Sequence, residues 1–418
     1  MLSHRLQDNF LVWKRILSYN GGTGFFDAIV PRSAPSQLLW SHDQPLAGVQ
    51  YGTSRSNLLI SDMRISHHLI SRNLWNSFHH RVSTASDILF TMARLWLLSL
   101  AVLGALTLAR LVYSAVAFVS FHIFTPSRPV ARYKRGNKPV YALVTGSSGG
   151  IGLGIAQALA KEGFNLIVLA HIASELSAAA AQIRELQPGI DVRTIVMDAR
   201  TATPEEMEAA VRSIAELDVT ILVNNVGGNP ITNQPFRFFG TYSSADVDAV
   251  VNQNARFMAR LTALMLPILK RKPAGAGQRS LILNMSSMAW HGAPWLTMYT
   301  ATKSFNLAMT WALAREFAVD PEASHVSALA VVPAEVRSEG NNQPDTERAV
   351  RWDRYGRLIV NKMDRAVRRN MRDMSPHWLH DIQGRILVLL PEGTRTQAMI
   401  DMIEGKKDAF NAAFEKQE

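Results

Sequence analysis

The sequence predicts a doubly wound parallel α/β domain preceded by one transmembrane helix. Three observations carry that expectation: six short, near-continuously apolar runs, amphipathic helical patterns between them, and one long apolar stretch ahead of them all. Parallel strands covered on both faces need apolar residues at almost every position, and their crossover connections need helices. The strand candidates lie at 141–145, 165–170, 192–197, 219–223, 280–285 and 325–332. Helical periodicity falls between them, at 151–162, 173–186, 204–216, 245–270 and 299–318.

The apolar stretch runs from Leu95 to Val119, with Arg110 as its only charge, and is long enough to cross a hydrocarbon core of about 30 Å. Arg110 costs about 2.5–3.5 kcal/mol near the bilayer centre unless it snorkels. A buried or interfacial hairpin is the alternative reading. Arg128, Arg132, Lys134, Arg135 and Lys138 follow the stretch, against Arg81 and Arg94 before it, so the positive-inside rule puts the C-terminal domain in the cytosol. The expected organisation is a poorly ordered tail at 1–87, an anchor segment at 88–124, a basic linker at 125–139, the α/β domain at 140–395 and a helical tail at 396–418. A secretory signal peptide is not expected, because the apolar stretch starts near residue 88; Met92 offers an alternative start.

Composition excludes several chemistries. The 418 residues include no cysteine, which removes disulfides, thiolate metal sites and cysteine nucleophiles. The histidines form no HExxH-type pattern, so no metal is expected. A net charge of +10 favours anionic partners without selecting one. With no zinc finger or RNA-recognition signature, nucleic acid is not among those expected.

The first strand runs into Thr145, Gly146, Ser147, Ser148, Gly149, Gly150, Ile151 and Gly152, and then into a helix. A glycine-rich turn there lets the backbone approach a pyrophosphate, and the helix N-terminus offers unpaired N–H groups. A plain tight turn is the bland alternative; the strand–turn–helix context weighs against it. Tyr299 and Lys303 stand four apart on a predicted helix, so phenol and ammonium share a face and Lys303 is expected to lower the Tyr299 pKa from about 10.

The TGxxxGxG spacing, the Asn224-Asn225-Val226-Gly227 stretch after the fourth strand and the YxxxK of Tyr299 and Lys303 together resemble the classical short-chain dehydrogenase/reductase family. Val226 departs from that family's NNAG. The resemblance implies a Rossmann-type fold that binds a nicotinamide cofactor and moves hydride between it and a carbonyl or alcohol. It implies Gly146, Ser147, Ser148, Gly150, Ile151, Gly152, Asn224, Asn225, Val226 and Gly227 at the cofactor, with Tyr299 as proton donor and Lys303 on the nicotinamide ribose. A serine ending the fifth strand should hold the substrate oxygen. The family pattern favours Ser287, an ungapped count back from Tyr299 favours Ser286, and Ser287 is preferred. Asn254 matches the fourth catalytic position, with Asn252 as its rival. Asp198 resembles the residue at the adenine edge. Pro333, Val336 and Ser338 fall in a PGxVxT-like segment beside the nicotinamide, where Ala334 replaces the usual glycine.

Cofactor choice turns on the end of the second strand, where an acid would accept the ribose 2′-hydroxyl of NAD. His171 stands there instead, which favours NADP(H) over NAD(H). The apolar stretch, FTPSRPVARY, LVNNVG, YTATKSF and SPHWLHDIQGRILVLLP look closest to the microsomal 17β-hydroxysteroid dehydrogenase/very-long-chain 3-oxoacyl-CoA reductase branch. That resemblance implies the endoplasmic reticulum membrane, a catalytic domain facing the cytosol and a hydrophobic substrate of the 3-oxoacyl-CoA or ketosteroid class, and leaves room for a homodimer. The C-terminal EKQE carries no double-lysine retrieval signal. A catalytically silent, membrane-anchored NADP-binding scaffold or regulator is the alternative function. Finally, basic residues recur every three or four positions from Arg348 to Arg372. On a helix they would form a cationic face, read either as a dock for anionic lipid or acyl-CoA phosphates or as an ordinary solvated surface.

Overall fold

A computed structural model describes residues 57–414, apart from 125–129, 137, 232–233, 272–274, 276, 340 and 342–348. The expected tail at 1–87 lies outside the described residues up to 56. From Asn57 onward it is helical, because helix α1 runs unbroken from Asn57 to Ile123. Its Ser71–Ile123 part is long and apolar enough to cross a membrane, with a mean hydropathy of 2.0 over an apolar stretch of 18 residues. The chain divides into two compact units, and the boundary falls within this helix, after Leu98. The second unit, Ser99–Glu418, holds the whole α/β domain.

Its first half alternates strand and helix as the apolar pattern requires: β1 (Tyr141–Thr145), α2 (Gly150–Lys161), β2 (Asn165–Ala170), α3 (Ala173–Leu186), β3 (Val192–Val196), α4 (Pro204–Arg212) and β4 (Val219–Asn224). Helix α4 stops at Arg212, short of the expected 216, and begins at a capping box in which Thr203 and Glu206 satisfy each other's backbone N–H groups. The long helix expected at 245–270 is broken into α5 (Ser244–Val251), one wide π turn over Asn252–Arg256, and α6 (Phe257–Leu269). Then come β5 (Ser280–Met285), α7 (Thr297–Val319) and β6 (Val326–Val331).

The chain after β6 departs most from expectation. A two-strand ribbon, β7 (Val336–Arg337) with β8 (Val350–Arg351), leads into α8 (Trp352–Arg368). A short seventh strand, β9 (Asp373–Met374), then closes the sheet edge, and α9 (Trp378–Leu389) and α10 (Glu392–Phe414) complete the domain. The sheet is parallel throughout, in the order β3-β2-β1-β4-β5-β6-β9. Strand order reverses between β1 and β4, where a crevice opens above the strand C-termini.

Alternate strand residues feed two cores. Ala142, Val144, Leu166 and Val168 pack with Leu159, Leu176 and Tyr355 on one face, while Tyr141, Leu143, Ile167 and Leu169 pack with Met207, Leu261 and Phe317 on the other. The period of two along each strand sends neighbours to opposite faces. At a rough 25 cal/mol per Å2 of apolar surface removed from water, these two layers hold the domain together.

Helix α8 corrects the reading of 348–372 as a free cationic surface. It packs into the first core through Tyr355, Ile359 and Met363, and it approaches α2 so closely that a Cβ on Gly356 would stand 2.3 Å from the Gly154 carbonyl carbon. Several of its cations are spoken for. Arg351 and Arg357 both pair with Asp353, and Lys362 is buried and donates to the Pro376 carbonyl at 2.7 Å. Arg365 donates to the Ser120 and Phe121 carbonyls, and Arg369 to the Ala117 carbonyl and Ser120 Oγ. The Arg365 contacts satisfy carbonyls in the last turn of α1, which have no partner within their own helix, while Ala117 lies a turn earlier and its carbonyl also accepts from Ser120 Oγ. Arg348 lies outside the described residues.

Candidate active site

One cavity of about 560 Å3 runs along the crevice from the glycine loop to the N-terminal part of α7. At one end it is lined by Gly146, Ser148, Gly149, Gly150 and Ile151, and at the other by Met285, Ser286, Tyr299, Lys303 and Pro333. The exposed His171 and half-buried Asp198 stand at its rim, and Asn225, Val226, Gly227 and Ser338 also line it.

Four residues expected at the cofactor are turned away from it. Ser147 is fully buried and exchanges hydrogen bonds with the Leu169 backbone at 3.0 and 3.4 Å. Gly152 lies behind the loop, where a Cβ would meet the Gly146 carbonyl oxygen at 2.0 Å. Asn224 donates to Asn284 Oδ1 at 2.8 Å and Thr262 Oγ1 at 2.9 Å, joining a buried polar network that ties β4 to β5 and α6. Val336 belongs to the core. Ser147 and Gly152 thus support the loop from behind, whereas Asn224 and Val336 serve the packing of the sheet. Asn225 is the fastening: its side chain donates to the carbonyls of Thr145 and Gly146 at 3.1 Å each, and its N–H donates to Thr145 Oγ1 at 2.9 Å.

Lys303 enters the cavity's inner end from α7, nearly buried, and donates to the Met285 carbonyl at 3.2 Å. Burial pulls its ammonium down to about 8. Its Nζ lies 5.5 Å from the centre of the Tyr299 ring. The expectation that Lys303 lowers the Tyr299 pKa is reversed in this structure. Burial raises the phenol, the Glu335 carboxylate adds to the rise, and a hydrogen bond with Ser287 opposes it. Desolvation disfavours both charged forms at once.

The two serines have different partners, although it is Ser286 that lines the cavity. Ser286 is buried and its hydroxyl donates to the Lys303 carbonyl at 2.7 Å, tying β5 to α7. Ser287 faces the Tyr299 phenol, and its Oγ accepts from Ala289 N at 3.2 Å. Asn254 sits in the π turn, fully buried; its amide donates to the Gly228 and Val250 carbonyls, and its Oδ1 accepts from Gly228 N at 3.0 Å. A π turn inside a helix often marks a functional position. Gly227 explains how these groups converge, since a Cβ there would stand 2.5 Å from Lys303 Nζ and 2.9 Å from Asn254 Oδ1.

Above Tyr299 the surroundings become apolar. Met288, Leu296, Leu387, Met399 and Ile403 form a buried cluster against which Tyr299, Trp295, Phe236 and Ala334 pack. Two of these residues come from α10, whose Lys406 pairs with Glu335 and whose Lys407 lies over the Trp295 ring at 4.7 Å. Trp295 is held at φ 60°, a left-handed conformation that costs a bulky side chain energy and that recurs at ligand clamps. Cavity residues that sequence reasoning missed include Gly149, Met197, Ala199, Arg200, Pro230, Gln253, Met285 and Glu339. Arg200 alone carried a signal, two residues past Asp198.

With this geometry in place the likeness to known proteins is direct. Residues 140–349 match the family model described as short chain dehydrogenase. The chain belongs to that family. Among similar proteins, a very-long-chain 3-oxoacyl-CoA reductase of Podospora anserina is 34% identical over 221 residues, covering 52% of this chain and 62% of the relative. A protein of the same name from Coprinopsis cinerea is 34% identical over 230 residues, covering 54% and 64%. The match thus spans less than two thirds of either relative. A crystal structure of a short chain dehydrogenase from Salmonella enterica serovar Typhi superposes with a TM-score of 0.51 at 20% identity, covering 60% of this chain and 99% of that one, which shows the fold.

The arrangement fits the dinucleotide of this dehydrogenase family. A bare backbone at Gly149 and Gly150 forms the N-terminus of α2, where a pyrophosphate would be held, and the cavity is continuous from there to Tyr299 and Lys303.

Proposed function

We propose that this protein is a membrane-anchored oxidoreductase that uses NADP(H) to reduce the carbonyl of a hydrophobic, lipid-like substrate of the 3-oxoacyl-CoA or ketosteroid class. The observation that carries the reading is the convergence of Tyr299 and Lys303 at the inner end of a cavity that begins at a phosphate-type glycine loop, with Ser287 hydrogen-bonded to the Tyr299 phenol. The absence of an acid at the end of β2, where His171 stands, supports NADP(H). The apolar cluster around Tyr299 and the names of the relatives support a lipid-like substrate. The apolar helix α1 supports an anchor, and the basic residues after it support a cytosolic domain at the endoplasmic reticulum.

The bound cofactor supplies the hydride. As the carbonyl oxygen gains charge, the Tyr299 phenol transfers its proton to it and the Ser287 hydroxyl donates a hydrogen bond to it. A phenol raised by burial stays protonated until the developing alkoxide needs the proton. The Lys303 ammonium places positive charge at the same end, and Asn254 keeps the Gly227–Gly228 turn clear of it.

Full-length protein in detergent, assayed for NADPH oxidation against 3-oxoacyl-CoAs, ketosteroids and small ketones, tests the reading. Turnover is expected with apolar ketones and strongest for one of the first two groups. Tight NADPH binding without turnover of any of them would point instead to a silent scaffold.

A further inference from the structure

The rim of the cavity beside His171 carries a guanidinium that the family motifs do not account for. Arg200 lies just past β3, and its Nε and Nη2 grip the Asp198 carboxylate at 2.7–3.1 Å. Its backbone N–H donates to the same carboxylate at 2.9 Å, and its carbonyl accepts from Arg256 Nη2 at 3.4 Å. The side chain is therefore fixed in direction, yet it stays 45% exposed and lines the cavity with His171 and Asp198.

We propose that Arg200, with His171 beside it, reads the 2′-phosphate that distinguishes NADP(H) from NAD(H). This rests on the cofactor reading above and names the residue that enforces it. A planar guanidinium suits a phosphate through paired N–H donors, and one already oriented by a carboxylate loses little freedom on binding. Its Nη1 makes no hydrogen bond among the described residues. Arg200 also neutralises Asp198, whose bare carboxylate at this rim would repel a phosphate as effectively as an acid at the end of β2. Two further carboxylates oppose the phosphate: Glu175, in the first turn of α3, accepts from Ser148 Oγ at 3.3 Å, and Glu339 lines the cavity beside Gly149. Arg256 supplies a second positive charge behind Arg200.

The test is equilibrium binding, followed by nicotinamide fluorescence, of NADPH and NADH to the full-length protein in detergent, with 2′,5′-ADP as competitor. Arg200→Ala is expected to weaken NADPH and 2′,5′-ADP by roughly 10- to 100-fold while leaving NADH within about twofold. Arg200→Lys, which keeps the charge but not the fork, is expected to recover part of the loss. A wild-type preference for NADPH that survives Arg200→Ala overturns the inference alone, and so does an equal loss for both nucleotides, which would make Arg200 a support for Asp198. A wild type that binds NADH as tightly as NADPH overturns the cofactor reading as well.

Discussion

Single side chains decide the chemistry. Removing the phenol in Tyr299→Phe should cut turnover by roughly 10^2- to 10^4-fold, the usual worth of a positioned proton donor, while NADPH affinity stays near wild type. Ser287→Ala should lose turnover without loss of fold. Ser286→Ala should instead lower thermal stability, since its buried hydroxyl ties β5 to α7 at about 1 kcal/mol for a typical hydrogen bond. Equal effects of the two on turnover would show that the separation is wrong. Gly227→Ala should weaken the cofactor and misplace both Lys303 and Asn254, visible as a joint loss of NADPH binding and activity. Lys303, lowered from 10.5 to about 8 by burial, is an ammonium below that value and neutral above it. Carbonyl reduction should therefore fall as pH rises through about 8, and the fall should shift in Lys303→Arg. Its effect on stability has the opposite slope. Between pH 8 and 10.5 the unfolded chain holds a proton that the folded chain has released, so this group's penalty on folding shrinks as pH rises. At this scale the sequence was legible for Tyr299, Lys303 and Asn225 because a motif spacing specifies one face of one element. It was not legible for Asn224 or Ser147, where the next residue along a turn points into the opposite side of the sheet.

At the scale of elements, the six strands could be read within a residue or two, because burial on both faces leaves an unbroken apolar signature, while α4 ends four residues short of its expected 216. The π turn at Asn252–Arg256 left no such trace, since one extra residue in a helical turn barely disturbs the periodicity. Helix α8 is shorter than the basic run from Arg348 to Arg372, and its surroundings differ from those expected. Its cations recur at helical spacing whether they meet water, phosphate or, as here, the carbonyls at the end of α1. Replacing Arg365 and Arg369 together by Gln should remove charge-assisted bonds to those carbonyls, each worth about 1.5–3 kcal/mol at most and less where exposed. Faster amide exchange across 117–123, with the cavity residues still protected, is the expected outcome. Helix α10 was expected as a tail and instead supplies Met399 and Ile403 to the apolar cluster at Tyr299. Met399→Ala should raise KM for an apolar ketone more than it changes NADPH binding; an unchanged KM would remove α10 from the substrate wall.

For the whole molecule, a chain beginning at residue 125 should leave the membrane fraction and lose stability together. The second loss arises because Arg365, Arg369 and Lys362 would keep their charge without their contacts to the end of α1. Retention on membranes by the shortened chain would place the anchor elsewhere. The sequence by itself determined the doubly wound fold, the apolar helix ahead of it, the glycine loop and the Tyr299–Lys303 pair, since each is a local pattern whose period or spacing has one physical meaning. Only the tertiary structure decided which serine faces the phenol, which motif residues support the loop rather than line it, that the basic run braces α1, and that Arg200 shares the rim with His171. Those are questions of direction between segments far apart in the chain, and direction is set by packing.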